Sequence, residues 1–178
     1  MTIGYEKAEK SAFQASQATG NVAKIALASG HPDWEILSQD QAEQFVVQGD
    51  KYLFGYGVPR SNETAFKRYM AAAKFGLEEA CNMVGTMFEN GLGREKDLPN
   101  AIFWFKTAAE KNHPDACNHL GRLYEQGKGL PKDYQKAAEF YLRAAEKNHP
   151  DAQTNLGGLF EKGLGQPLDY IKAANWYK

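Results

Sequence analysis

Cysteine, excess basic charge and long apolar runs are all scarce in this sequence, and each shortage excludes a class of protein. The 178 residues include two cysteines, Cys81 and Cys117, and neither belongs to a CxxC pair typical of zinc or redox sites. Lysine and arginine total 21 against 22 for aspartate and glutamate, so no basic excess is available to neutralise the phosphates of a nucleic acid. No apolar run approaches the roughly 18 residues of a membrane span.

The cysteine usage predicts a reducing environment. Cys81 and Cys117 are 36 residues apart, so we expect them in equivalent positions of stacked units about 10 Å apart, too far for a disulfide. We interpret both as small, half-buried structural residues. The N-terminal segment 1–10 is polar and lacks the apolar core of a secretory signal. The predicted location is therefore cytoplasmic.

What the sequence has in abundance is a pattern that recurs every 36 residues. Four copies stand in register, with glycines, alanines and aromatic residues in fixed columns. A fixed period of about 20 to 50 residues predicts stacked supersecondary units, each burying its apolar face on its neighbours. The columns are Gly49, Gly85, Gly121 and Gly157; Gly55, Gly91, Gly127 and Gly163; Gly57, Gly93, Gly129 and Gly165; Ala65, Ala101, Ala137 and Ala173; and Tyr52, Phe88, Tyr124 and Phe160.

Each copy reads as two helices joined by a short loop. In the third copy, apolar residues recur every three or four positions from Ala116 to Tyr124 and again from Ala137 to Ala145, which is the spacing of an apolar helical face. Gly121 lies inside the first of these helices, where glycine costs about 1 kcal/mol relative to alanine. Because that cost recurs in every copy, we expect a neighbouring helix to pass too close for a Cβ atom.

The residues between the helices match the chemistry of helix ends. One column holds only residues that cap helix N-termini well, and a second holds glycine or asparagine, which suit a left-handed C-terminal cap. Proline then opens the next helix in two copies. The N-cap column is Ser61, Asp97, Asp133 and Asp169; the C-terminal column is Gly76, Asn112 and Asn148; and the prolines are Pro114 and Pro150. The predicted fold is all-α, a right-handed α-solenoid of stacked antiparallel helical hairpins.

Two segments are expected along the chain. Residues 1–37 are predicted to be a helical capping segment, and residues 38–178 the repeat array, with copies at about 42–77, 78–113, 114–149 and a partial copy at 150–178. The last copy stops inside its second helix. We therefore expect either that the chain continues beyond Lys178 in nature or that a partner covers this end.

The repeat resembles a known family. The stretch from Ala116 to Glu146, ACNHLGRLYEQGKGLPKDYQKAAEFYLRAAE, is similar to the Sel-1-like repeat, a variant of the tetratricopeptide repeat with a longer loop between its helices. The resemblance covers about 140 of the 178 residues and does not extend to the first 37. It implies a scaffold or adaptor that assembles protein complexes, and it carries no enzymatic residue with it.

The resemblance also implies a binding surface, because the first helices of tetratricopeptide-like arrays line a concave face. The corresponding positions lie three before, and one, four and five after, the mid-helix glycine. They differ between copies, and the alternative interpretation is an ordinary solvated polar face. The predicted partner-binding residues are Asn82, Thr86, Glu89, Asn90, Asn118, Arg122, Glu125, Gln126, Thr154, Glu161 and Lys162, with Val46, Asp50, Leu53 and Phe54 in the first copy and Gly158 in the fourth.

No residue pattern favours catalysis, a cofactor or a metal. The loop Gly127-Lys128-Gly129 follows a helix and lacks the spacing of a phosphate-binding loop. His113 and His149 recur at one repeat joint, which favours a structural role, and Trp104 and Trp176 recur as core positions. The leading hypothesis is a non-enzymatic adaptor that binds a protein or peptide. The alternative is a structural or regulatory segment of a larger multidomain protein.

Overall fold

A computed structural model of the chain describes residues 38–177, which form eight α-helices. The predicted capping segment, residues 1–37, lies outside the described residues. The helices are α1 Gln39–Phe54, α2 Asn62–Phe75, α3 Glu78–Asn90, α4 Leu98–Glu110, α5 Pro114–Gln126, α6 Tyr134–Ala145, α7 Pro150–Lys162 and α8 Tyr170–Trp176.

The described residues divide into two compact units, 38–96 and 97–177. In the first unit, α2 packs against both α1 and α3. In the second unit, each helix from α4 to α8 packs against the next helix along the chain. The helical hairpins predicted from the periodicity are therefore present within each unit, and the all-α fold class is confirmed.

The second helix of each hairpin begins at its predicted N-cap. The side chains of Ser61, Asp97, Asp133 and Asp169 each accept a hydrogen bond from the backbone N–H three residues later, over 3.2, 3.0, 3.0 and 2.9 Å. These side chains satisfy N–H groups that have no partner inside the helix. One column of the sequence thus fixes the start of four helices.

The predicted left-handed residues also lie where the sequence placed them. Gly76 has φ 103°, and Asn112 and Asn148 have φ 59° and 60°. Asparagine tolerates this region better than most residues with a Cβ atom. Pro114 and Pro150 follow as the first residues of α5 and α7, where a missing N–H has no cost.

His113 and His149 are the N-caps of α5 and α7. Their Nδ1 atoms accept hydrogen bonds from the backbone N–H groups of Ala116 and Ala152, over 3.5 and 3.2 Å. On its other side, Nε2 of His149 lies 2.9 Å from Oδ1 of Asp115. With Nδ1 used as an acceptor, Nε2 carries the proton and donates to the carboxylate. The predicted structural role of these histidines is confirmed.

The mid-helix glycines contact tyrosine rings on the next helix. A Cβ atom built on Gly121 would lie 2.5 Å from a ring carbon of Tyr141, and one on Gly49 would lie 2.6 Å from a ring carbon of Tyr69. Both tyrosines are fully buried. The predicted close approach is confirmed, and the crowding atoms belong to a side chain of the neighbouring helix.

In the second, third and fourth copies, the third glycine column seats the interhelical loop on an earlier helix, whereas a Cβ atom on Gly57 in the first copy would meet nothing within 4 Å. Gly93 has φ 77°, and a Cβ atom there would overlap the backbone of Asn62 at the start of α2. Gly165, at φ 66°, would overlap the backbone of Tyr134 at the start of α6 in the same way. These loops are packed joints, which explains their glycines without a phosphate ligand.

Both cysteines are more deeply buried than expected. Cys81 and Cys117 are free thiols with no exposed surface, whereas the sequence predicted half-burial. Burial raises the pKa of the Cys117 thiol, and the positive charge of Arg143 offsets part of that rise. Both residues act as small core side chains.

A pair of glycine substitutions tests the contact between glycine and tyrosine. We expect Gly121→Ala to lower the free energy of unfolding by about 1 to 3 kcal/mol, because the new methyl group overpacks against Tyr141. The matched control is Gly158→Ala in α7, where the nearest atom to a new Cβ is the Tyr177 hydroxyl at 3.7 Å. It should stabilise the helix by up to about 1 kcal/mol. Urea unfolding measures both, and equal effects would contradict the packing argument.

Candidate protein-binding surface

A polar groove of about 230 Å³ lies between α5 and α7 in the second unit. Asn118 and Arg122 line it from α5, and Asp151, Thr154 and Asn155 line it from α7. The structure therefore brings together three of the predicted partner-binding residues, Asn118, Arg122 and Thr154. The groove offers amide, hydroxyl, guanidinium and carboxylate groups within one small volume.

Two asparagines form the floor of this groove. Asn118 is 8% exposed, and its Oδ1 accepts a hydrogen bond of 3.1 Å from Nδ2 of Asn155. This burial differs from the sequence expectation that the position faces solvent. The bond links the first helices of two successive hairpins, α5 and α7. Asn118 thus both stabilises the groove and holds its amide group at the base of it.

Arg122 and Thr154 form the walls. Thr154 is exposed, and its hydroxyl group donates to the backbone carbonyl of Pro150 over 3.1 Å. Arg122 is half-buried, and its positive charge offsets part of the rise in the pKa of Tyr141. The guanidinium is therefore close to the Tyr141 hydroxyl as well as to the groove.

Three carboxylates from the predicted surface bond to tyrosines instead of lining the groove. The hydroxyl group of Tyr141 donates to Glu125 over 2.6 Å, and that of Tyr177 donates to Glu161 over 2.8 Å. In the first copy, Tyr69 donates to Asp50 over 2.6 Å. These acidic residues hold the two helices of a hairpin together.

The predicted residues of the first unit are less exposed than expected. Asn82 is 6% exposed, and its Oδ1 has no hydrogen-bond partner among residues 38–177. Thr86 and Glu89 are half-buried, while Asn90 is exposed and donates to the Thr86 carbonyl over 2.9 Å. Asn82 is the member of this group with an unused buried acceptor.

The remaining predicted residues lie at helix ends or in the core. Gln126 and Lys162 are exposed and form the last residues of α5 and α7. Val46 is buried, and Phe54 is 50% exposed with its ring 5.5 Å from that of Tyr56. For Val46, Leu53 and Phe54 the sequence allows two interpretations, an apolar end of the groove or packing under the N-terminal segment, and that segment lies outside the described residues.

Sequence reasoning missed Asp151 and Asn155. Asp151 follows Pro150 at the start of a helix, where its charge alone accounts for its position, and no recurring pattern selects Asn155. Both lie within one helical turn of Thr154, at spacings of three and one, so a search along the same helix would have found Asp151. Asn155 is harder to find, because adjacent residues usually point to different faces.

Metal-binding clusters and membrane-spanning helices are both absent from the part of the chain that the structure describes. Within residues 38–177, no group of three or more His, Cys, Asp or Glu residues is arranged to hold a metal ion. None of the helices in that range is long and apolar enough to cross a membrane. Of the two recurring tryptophans, Trp104 is buried as predicted, whereas Trp176 is half-buried.

A protein-family model described as the Sel1 repeat matches residues 49–67, 78–113, 114–149 and 150–178. These matches cover most of the chain and confirm the resemblance found in the sequence. No curated protein sequence matches the chain.

Two solved structures show the same architecture. The chain is 32% identical to a protective antigen of uropathogenic Escherichia coli that displays an SLR fold, with a TM-score of 0.74 over 78% of this chain and 30% of that one. It is also 32% identical to a Sel1 repeat protein from Oxalobacter formigenes, with a TM-score of 0.73 over 92% of this chain and 65% of that one. The chain thus spans less than two thirds of the length of either protein. The similarity confirms the α-solenoid fold class.

The bonds between tyrosine and carboxylate predict a loss of stability in alkali. Burial, followed by the hydrogen bonds to Asp50 and Glu125, raises the pKa of Tyr69 and of Tyr141. A tyrosine with a raised folded-state pKa stabilises the fold below its unfolded pKa of about 10 and loses that contribution as the pH rises further. We expect the free energy of unfolding to fall between about pH 10 and pH 11.

The variant Tyr141→Phe isolates one of these bonds. At neutral pH it should lower the free energy of unfolding by about 1.5 to 3 kcal/mol, because the Glu125 carboxylate loses the hydrogen bond that the Tyr141 hydroxyl group donates to it. It should also flatten the alkaline decrease. Tyr170→Phe, at a residue 64% exposed, is the control and should change neither. Denaturant unfolding at a series of pH values measures the free energy of unfolding of both variants. If that free energy falls above pH 10 as steeply in Tyr141→Phe as in the unchanged protein, this account is refuted.

Proposed function

The chain belongs to the Sel1 repeat family, and on that premise we propose that it is a non-enzymatic adaptor that binds a protein or peptide segment. Proteins built from Sel1 repeats are in general scaffolds for protein interactions. We further propose that the partner binds on the concave face lined by the first helices, and that the protein works in the cytoplasm. The polar groove between α5 and α7 is the centre of the proposed site.

The observation that carries this proposal is the chemistry of that groove. Its lining combines an amide pair, Asn118 and Asn155, with the guanidinium of Arg122 and the hydroxyl of Thr154. An extended protein segment exposes alternating N–H and C=O groups, and amide side chains can both donate to and accept from them. A guanidinium suits carboxylate or carbonyl oxygens. The groove is thus better suited to a polypeptide than to an apolar small molecule.

The packing of the rest of the surface supports the same site. Recurring residues, such as Gly121 with Tyr141, are used inside the hairpins. Most groove positions vary between copies: Arg122 corresponds to Thr86 and Gly158, and Asn118, although matched by Asn82, corresponds to Thr154. Positions that vary against a constant framework are where a repeat protein adapts to its partner.

Site-directed photo-crosslinking in the native cell tests this proposal. A photoreactive amino acid at exposed Thr154 should crosslink a discrete protein, because the position lies on the groove wall. The same amino acid at Ala174, an exposed position of α8 outside the groove, is the control and should give no such product. Mass spectrometry of the crosslinked peptide identifies the partner.

A blocking variant provides the second arm. Thr154→Arg places a long side chain across the groove from an exposed position, so the helical circular-dichroism signal should not change. We expect it to weaken capture of the crosslinked partner at least tenfold, while Ala174→Arg leaves capture intact. Undiminished capture by Thr154→Arg, or identical crosslinks from both positions, would refute the groove as the binding site.

A further inference from the structure

A second groove in the second unit has the opposite character. It has a volume of about 450 Å³ and lies among α6, α7 and α8. Its apolar walls are Ala138 and Leu142 from α6, Leu156 and Phe160 from α7, and Trp176 from α8. Thr154 and Leu156 are two residues apart and so point to nearly opposite sides of a helix with about 3.6 residues per turn. This apolar groove is therefore separate from the polar one.

Comparison between the copies shows which side chains are missing from the apolar groove. Ala138 occupies the position held by Phe66 and Ile102 in the earlier copies. Gln166, which also lines the groove, occupies the position held by Arg94 and Leu130. Where the loop of the fourth copy lies near the second helix of the third copy, a small helix residue, Ala138, and a polar loop residue, Gln166, therefore line the groove together.

In the second and third copies, the loop between the two helices lies against the equivalent position in the second helix of the preceding copy. The guanidinium carbon of Arg94 is 4.6 Å from the ring centroid of Phe66. At the next joint, a Cβ atom on Gly129 would lie 2.8 Å from Cδ1 of Ile102, which is buried. A large side chain is therefore the normal occupant of this joint. Ala138 lacks the side-chain atoms that Phe66 and Ile102 place there; it is 3% exposed and lines the groove.

The charged residues at the rim of the apolar groove indicate the charge of a partner side chain that would lie beside an inserted apolar one. Glu139 is exposed at the rim and has no hydrogen-bond or ion-pair partner among the described residues. The opposite charge, Lys172, is already engaged: its Nζ lies 3.7 Å from Oδ2 of Asp169 and 5.5 Å from the ring centroid of Phe160. The available charge at the rim is therefore negative.

We propose that this groove binds a protein segment that inserts one aliphatic side chain, with a basic side chain beside it facing Glu139. The aliphatic group occupies the space that Ile102 occupies one copy earlier, and the neighbouring basic group complements the free carboxylate. This site shares no residue with the polar groove, so either can fail without the other.

Blocked dipeptides and the 178-residue chain provide the test. Acetyl-Leu-Arg-amide should shift the indole N–H resonance of Trp176 in NMR titrations at millimolar concentration, because Trp176 lines the groove. Acetyl-Ser-Arg-amide should bind at least about tenfold more weakly, since it lacks the apolar anchor. Acetyl-Leu-Glu-amide should bind about two- to fivefold more weakly, since an exposed ion pair contributes little.

Two variants separate the anchor from the charge. The pair Ala138→Ile with Gln166→Leu restores the residues of the preceding joint, Ile102 and Leu130, and should abolish the Trp176 shift without loss of helix content. Gln135→Leu, an exposed position of α6 outside the groove, is the matched control and should bind normally. Glu139→Lys, also at the surface, should reverse the preference between the arginine and glutamate peptides.

Several results would overturn the proposal. They are no shift at Trp176, a shift that persists in the filled variant, or equal binding of the arginine and glutamate peptides. Analytical ultracentrifugation tests for a different occupant. A dimer that is disrupted by the pair Ala138→Ile with Gln166→Leu would assign the groove to a second copy of this chain and so overturn the proposal.

Discussion

The contact between a mid-helix glycine and a tyrosine ring sets the geometry of the hairpins. With no Cβ atom on Gly49 or Gly121, the rings of Tyr69 and Tyr141 lie directly on the backbone of the first helix. The hydroxyl groups then reach the carboxylates of Asp50 and Glu125. A larger residue at either glycine would separate the two helices and break the partly buried hydrogen bond. Both the packing and the hydrogen bond therefore depend on the absence of a Cβ atom at these positions.

Most of the fold could be predicted from the sequence because its determinants are local. An N-cap such as Asp133 bonds only three residues away, and a left-handed residue such as Asn148 is recognised by its own backbone preference. The close approach at Gly121 could also be predicted, since a repeated cost implies a repeated steric need. These features depend on spacing along one chain segment, which the repeat displays four times.

The candidate site could be predicted only in part, because its chemistry depends on contacts between hairpins. Glu125 has the pattern of a surface residue, yet it bonds to Tyr141, 16 positions away. Asn118 is buried and accepts a hydrogen bond from Asn155, which lies in the first helix of the next copy, 37 positions away. Neither partner recurs in all copies: Phe105 replaces the tyrosine in the second copy, and His119 stands in the register of Asn155. The bond between tyrosine and carboxylate has counterparts in the first and fourth copies, whereas the bond from Asn155 to Asn118 needs an asparagine that the preceding copy lacks. Periodicity cannot predict the second kind of contact.

The two grooves show how a repeat protein acquires specific surfaces without changing its backbone. Recurring residues fill the space between helices, so a change at one of those positions opens a cavity while the neighbouring helices stay fixed. Ala138 is a small residue at a buried position that Phe66 and Ile102 fill with larger side chains. The polar groove arises differently, from positions such as Thr154 that are free to vary. Loss of a framework side chain is therefore as informative about binding as variation at the surface, and the third and fourth copies together show both.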